Sequence, residues 1–310
     1  RYRMTASSVP ITDSAKRAAR VVALGLLRDV LTARDRLDDP SDADALHDFR
    51  VALRRLRTWL RAFRPVLRDT LRGKVMRRLG DIADATGASR DLEVRIEWID
   101  RSRRQLRGDE RKGASWLIKR LRQEKVEYDA ELRRALDDNF DKTTRRVEKA
   151  LSRYEARVEG EQSYEEVAGE IVSAHLEALD AAMAGVSSIH DRSQAHAARI
   201  AAKRLRYVLE IVAPSDSDQA RAMVSLKDLQ DKLGDLHDAQ MFGSQLASLV
   251  AEYKAASANN GNSATNGVVS HVDPVAGLQA LLERLRRREK ESFRLVIPVW
   301  HATASGLHLE

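Results

Sequence analysis

The chain carries one helical pattern twice. Residues 46–64 read LHDFRVALRRLRTWLRAFR, and residues 195–213 read AHAARIAAKRLRYVLEIVA. At an offset of 149, His47 meets His196, Arg50 meets Arg199, Arg54 meets Lys203, Arg55 meets Arg204, Leu56 meets Leu205 and Arg57 meets Arg206. A second block, LGDIADATGASRDLEV at 79–94, matches LKDLQDKLGDLHDAQM at 226–241 at an offset of 147. There Leu79, Asp81, Asp84, Gly87 and Asp91 meet Leu226, Asp228, Asp231, Gly234 and Asp238. The helix caps agree as well, since Ser14 plus 149 is Ser163. A chain built this way folds as one supersecondary unit made twice, and the search for its fold is a search for that unit.

The unit is helical. The 310 residues hold only 15 Gly and 6 Pro, and 33% of them are charged. Strong helix formers dominate, which excludes an all-β or collagen-like chain. Apolar periodicity predicts helices over about 14–37, 41–65, 69–86, 89–105, 110–136 and 141–155. The pattern restarts over 163–184, 192–213, 217–236, 238–256 and 274–292, with prolines between several of these segments. Two units follow, 14–155 and 163–295. Residues 257–272, SANNGNSATNGVVSHV, carry no charge and little apolar surface, so a flexible loop inside the second unit is expected. Residues 1–3 and 307–310 read as sequence added to the natural ends. There is no Cys, hence no disulfide, thiolate metal site or cysteine nucleophile. With no membrane-length apolar run and no secretory pattern, the expectation is a cytoplasmic protein.

The charge is not spread evenly. The net charge is +7, and of 54 basic residues only 12 are Lys. Residues 46–64 carry +5 and residues 195–213 carry +3, so the rest of the chain is nearly neutral. On a helical wheel His47, Arg50, Arg54, Arg57, Arg61 and Arg64 share an arc of ~100°. Phe49, Ala52, Leu53, Leu56, Trp59, Leu60 and Phe63 fill the adjoining ~120°. The second copy repeats this with His196, Arg199, Lys203 and Arg206, while Glu210 replaces Arg61. Ile200, Tyr207 and Ile211 add an apolar edge on the far side of that stripe, which places it in a groove rather than on open surface. A solvated helix face would mix signs, because like charges at i, i+3 and i+4 repel. Two equivalent single-sign stripes, each roughly 25 Å long, are the footprint of a polyanion-binding protein. His47, Arg50, Arg54, Arg57, Arg61, His196, Arg199, Lys203 and Arg206 are the candidate ligand contacts. Arg55 and Arg204 lie at the flank, where pairing with acids competes; with Arg64, the last basic residue of the first stripe, they complete the candidate set. His175, His190, His271, His301 and His308 have no basic company and read as structural.

The paired H-x-x-R-[VI]-A-x-[RK]-R-L-R motif, with GASRDLEV at 87–94 and LGDLHDAQ at 233–240, resembles the CHAD family, named for a conserved histidine in an α-helical domain. The resemblance runs over about 14–295. It implies two all-α bundles related by a pseudo-two-fold axis with a basic channel between them. It also implies non-catalytic binding of inorganic polyphosphate, with no cofactor and no metal, and admits polyphosphate granules as a partner. Position by position it carries over to His47, Arg50, Arg54, Arg57 and to His196, Arg199, Lys203, Arg206. Arg90 stands where the second copy has His237. Asp91 and Asp238 follow a glycine, a place where an Asp caps a helix or pairs with Arg.

Two other classes compete. Arg stripes also hold nucleic-acid backbones, but no helix-turn-helix or zinc-finger signature is present and exposed stacking aromatics are lacking, so specific nucleic-acid binding is not expected. The dipeptides His47-Asp48, His190-Asp191 and His237-Asp238 suit a metal-dependent HD phosphohydrolase. The repeat breaks that pattern, because Asp48 maps to Ala197 and His237 to Arg90. No GxxxxGK[ST] phosphate loop occurs.

Overall fold

Small side chains at one end of each repeat let the helices approach closely. In the computed structural model, α1 (Ala15–Asp35) lays Ala15, Ala18, Ala19 and Ala23 into the core. α2 (Ala45–Ala62) packs against it with Phe49, Leu53, Leu56, Trp59 and Leu60 buried, the apolar arc expected from the sequence. Trp59 stacks on Phe63 with centroids 3.9 Å apart, and its Nε1 donates to the carbonyl of Ala19 at 2.9 Å, so the bulkiest core ring is also hydrogen-bonded. The structure describes residues 14–39, 41–42, 44–71, 73–153, 161–212, 217–260 and 273–307.

The chain continues through the short α3 (Arg64–Leu67), then α4 (Gly73–Arg103), α5 (Gly108–Ala135) and, after a π-helical turn, α6 (Asp141–Ser152). The second copy is α7 (Tyr164–Ala184), α8 (Arg192–Val212), α9 (Ser217–Asn260) and α10 (Val275–Gly306). The described residues hold no strand, and the fold is all-α as expected.

Three apolar clusters form the core. One joins α1, α2, α3 and α6 to the start of α4 and the start of α7. Another joins α7, α8, the first half of α9 and the end of α10. The remaining cluster mixes the two copies. Leu92 and Ile99 of α4, with Leu117 and Leu121 of α5, pack on Phe242 and Leu246 of α9 and Leu281 and Leu285 of α10. Corresponding elements touch one another: α1 meets α7, α2 meets α8 and α5 meets α10. Ser14 and Ser163, the equivalent residues ahead of α1 and α7, form an isolated antiparallel bridge. Ser163 caps α7 in a capping box with Glu166. Ser14 makes no such cap on α1 and instead donates its hydroxyl to Glu161.

Three expectations change. The breaks expected between 86 and 89 and between 236 and 238 do not occur, because α4 and α9 run straight through Gly87 and Gly234. A helical glycine costs only ~1 kcal/mol, and buried residues on both sides, Ile82 with Leu92 and Leu229 with Leu236, hold the helix across it. Asp91 and Asp238 are therefore mid-helix residues and cap nothing. The last helix does not stop at 292 but reaches Gly306 with Pro298 inside it. Val296 and Trp300, both buried, anchor the turns on either side of that proline. Finally, α9 remains helical to Asn260, four residues into the expected loop; residues 261–272 lie outside the described residues.

The sequence also contains a third repeat block that the constant offsets hide. Gly113, Leu117, Arg120, Leu121 and Arg122 match Gly277, Leu281, Arg284, Leu285 and Arg286 at an offset of 164. The two glycines meet where α5 crosses α10. A Cβ on Gly277 would lie 2.5 Å from the carbonyl oxygen of Glu110, and one on Gly113 would lie 2.6 Å from that of Pro274.

Candidate functional site

Because α2 packs on α8, their basic stripes converge. Arg54 is the hub. Arg206 and Arg199 of α8 bear on it electrostatically, and it in turn bears on Lys203. The ring of Tyr207 lies between two guanidiniums, 4.7 Å from Arg54 and 4.4 Å from Arg206, which tolerates their proximity through cation–π contacts. Arg50 extends the cluster along α2 toward Arg90 and Asp91 of α4. Arg57 continues it the other way, where Gly80 of α4 leaves room for the guanidinium at 3.4 Å from the site of an absent Cβ.

This cluster is poorly compensated. Burial pushes Arg50, Arg54 and Arg57 below the usual arginine range, while neighbouring carboxylates recover only part of the effect for each. Burial, with Arg199 and Arg54 next in weight, lowers Lys203 to about 8. The carboxylates that face the cations stand off: Asp84 is 3.9 Å from Arg57, and Asp238 is 3.9 Å from Arg199. Burial pushes the Asp238 carboxyl up, against the pull of Arg199. The Nε donors of Arg54, Arg57 and Arg199 are buried and have no hydrogen-bond partner among the described residues. Buried guanidinium donors without acceptors are costly in a folded protein.

The two histidines that open the stripes fare differently. His196 meets His237 of α9, Nδ1 to Nδ1 at 3.3 Å, with ring centroids 4.5 Å apart. Burial, then Arg199 and His196, lowers His237 to about 4, so it is neutral at pH 7. His47 is exposed on α2. Its repeat-mate contact is replaced by Arg90, which pairs with Glu93 at 2.9 Å. The second stripe is also more heavily engaged. Arg206 donates through Nε to Gln230 at 2.8 Å and through Nη1 to Glu210. Glu210 of α8 reaches Arg55 of α2 at 3.8 Å, so Arg55 pairs with an acid.

Arg61, Arg64 and Arg204 lie apart from the hub. They line an open cleft with Arg68 and His175. His175 was not singled out by the sequence, because its company is drawn from α2, α3 and α8 rather than from its own helix. Tyr207, read there as an apolar edge, is the residue that lets the two stripes approach.

The three His-Asp dipeptides serve separate duties. Asp48 pairs with Arg36 at 2.5 Å, Asp191 accepts from the backbone of Ser187 and Ser188 ahead of α8, and Asp238 faces Arg199. Among the described residues no three His, Asp or Glu side chains form a metal-binding group. No helix among them is long and apolar enough to cross a membrane.

Comparison with known proteins places this geometry. The chain resembles the crystal structure of the CHAD domain from the plant Ricinus communis, with a TM-score of 0.70, 19% identity, and coverage of 99% of this chain and 96% of that one. It also resembles PptA from Streptomyces chartreusis, with a TM-score of 0.71, 13% identity, and coverage of 93% and 99%. At these identities the likeness speaks for the fold. No curated protein sequence matches the chain. The CHAD domain family model matches residues 22–247, well over half of the 310, and the chain therefore belongs to the CHAD domain family.

Proposed function

We propose that this protein binds inorganic polyphosphate in the groove between α2 and α8 and does no chemistry on it. One observation carries the reading: Arg54 of α2 and Arg206 of α8 stack on the same Tyr207 ring, 4.7 and 4.4 Å from its centroid, with Arg199 and Lys203 near enough to act on Arg54 electrostatically, in a cluster whose buried Nε donors have no acceptor among the described residues. A linear polyanion offers a charge at every phosphate and no base edge to read. It is served by a track of fixed forks rather than by a pocket, and Arg supplies bidentate donors at rigid spacing. Counterion release adds a salt-dependent drive, by analogy with nucleic acids.

The two copies, 14–155 and 163–295, are in this reading halves related by a pseudo-two-fold axis, with the groove as the channel between them. His47, Arg50, Arg54 and Arg57 form one wall, with Arg61 beyond its end, and His196, Arg199 and Lys203 the other. Arg206 braces the wall through Gln230 and Glu210 while presenting its charge. The place of action is where the polymer accumulates, the cytoplasm and its polyphosphate granules.

The test is a variant with Arg50, Arg54 and Arg57 replaced together by Ala. These side chains are half-buried on the face of α2 away from its apolar arc, so helix content by circular dichroism should be kept. At ~1.5–3 kcal/mol per charge-assisted contact, affinity for long-chain polyphosphate should fall at least a hundredfold, allowing for non-additivity. Unchanged affinity in a folded variant would mean that the stripe is ordinary solvated surface.

A further inference from the structure

Beyond the groove, the far end of α2 opens onto a cleft of about 680 Å³. That volume falls in the ~300–1,000 Å³ range of small-molecule sites. Arg61, Arg64 and Arg68 line it at spacings of three and four, because the stripe of α2 continues across the joint at Phe63 into α3. Arg204 of α8 and His175 of α7 close it from the other copy. Among the described residues no carboxylate lines the cleft. None of the four guanidiniums makes an ion pair among the described residues, whereas Arg55 and Arg206 nearby both do. His175 donates Nδ1–H to the carbonyl of Ile171 at 2.8 Å, which leaves Nε2 toward the cleft, where it donates to an oxyanion only when the ring carries both protons.

Four uncompensated cations from three elements around one concave surface repel one another, and no packing requirement explains them. The arrangement differs from the groove. There the cations are half-buried on two packed helices; here four exposed guanidiniums from α2, the α3 segment and α8 share one cleft with an imidazole of α7. Exposed forks that converge on one cleft from separate elements suit a short anion of dense charge.

We propose that this cleft is a second phosphate site, for two or three adjacent phosphates bound as a compact cluster. The ligand class rests on the polyphosphate reading of the groove, but the site does not need the groove to work. The same chemistry comes from two sources, a free short oligophosphate or the end of a long chain whose middle lies in the groove. Arg57 and Arg61, which bear on each other electrostatically, mark where the two sites adjoin.

Tripolyphosphate binding by calorimetry at moderate salt tests this, with two variants. The cleft variant is Arg64→Ala, Arg68→Ala, Arg204→Ala; all three side chains are exposed and unpaired among the described residues, so the fold is not at stake. The groove variant is Arg50→Ala, Arg54→Ala. The cleft variant should lose tripolyphosphate affinity by roughly tenfold or more, and the groove variant should keep it within about threefold. Long chains with free ends and with both ends esterified then distinguish the sources. A cleft-variant defect confined to free-ended chains assigns the site to chain ends, and no defect with either long chain assigns it to free oligophosphates; both support the phosphate cleft. A cleft variant that binds tripolyphosphate like the wild type, or a groove variant that alone loses it, overturns the proposal. Long-chain binding by the groove variant is a separate readout. Its persistence would contradict the groove reading and leave the cleft standing.

Discussion

At the scale of single residues, one position separates the two walls of the groove. Arg54 and Lys203 are repeat-mates, but only the lysine titrates in an accessible range, since burial and its cationic neighbours lower it to about 8. A bound polyanion favours the charged form. Affinity for long-chain polyphosphate should therefore rise as pH falls from 9 to 7, by several-fold and at most ~tenfold per pH unit for one proton taken up. His237, at about 4, stays neutral throughout that window and contributes nothing to the slope. Lys203→Arg should keep the affinity at pH 7 and flatten the profile, because a guanidinium stays charged. A slope that survives the substitution would assign the proton to another group. Glu210→Gln should act in the opposite sense to the arginine losses. It removes the carboxylate that engages Arg206 and Arg55, so affinity should increase by a few-fold, read from the same titration.

The stripes were legible residue by residue because charge of one sign at i, i+3 and i+4 is visible on a wheel. The roles of Tyr207 and His175 were not. An aromatic beside a basic residue on a helix reads as core, and only the approach of α2 shows that the ring of Tyr207 faces Arg54. His175 stands alone in its own helix and gains its company from elements far away in sequence.

At the scale of elements, the periodicity placed every helix that carries the groove, but not the lengths of the longest ones. Gly87 and Gly234 resemble helix ends in sequence, yet packing on both sides carries α4 and α9 through them, and this keeps Asp91 and Asp238 in line with the groove. The equivalence of α5 and α10 escaped constant-offset matching because the segment after α9 shifts the register to 164. Its physical mark is the crossing at Gly113 and Gly277. Gly277→Ala should destabilise the protein although Ala is the better helix former. The propensity gain is ~1 kcal/mol, whereas a Cβ at 2.5 Å from backbone of α5 forces the helices apart at ~1–3 kcal/mol or more. A lowered Tm is expected for this variant. An alanine at Gly87, where a Cβ meets nothing within 4 Å, should leave Tm equal or raise it.

At the scale of the whole molecule, the shared cluster of α4, α5, α9 and α10 ties the copies together, and the packing of α2 on α8 brings two basic stripes into one cluster. Neither copy alone would bring Arg54 against Arg199 and Lys203. Residues 14–137 should superpose on 163–292 by a rotation near 180°. In the proposed function the groove selects its polyanion by shape. Both polyphosphate and duplex DNA release counterions and should weaken with salt, so salt dependence does not separate them. Width does, since a duplex is too broad to enter between two packed helices and meets only the rim, while a single phosphate chain reaches both rows. The direct measurement is displacement of labelled long-chain polyphosphate at equal phosphate concentration and moderate salt. Unlabelled polyphosphate should displace it and duplex DNA should not; displacement by the duplex as readily as by polyphosphate would contradict the groove and favour a nucleic-acid surface.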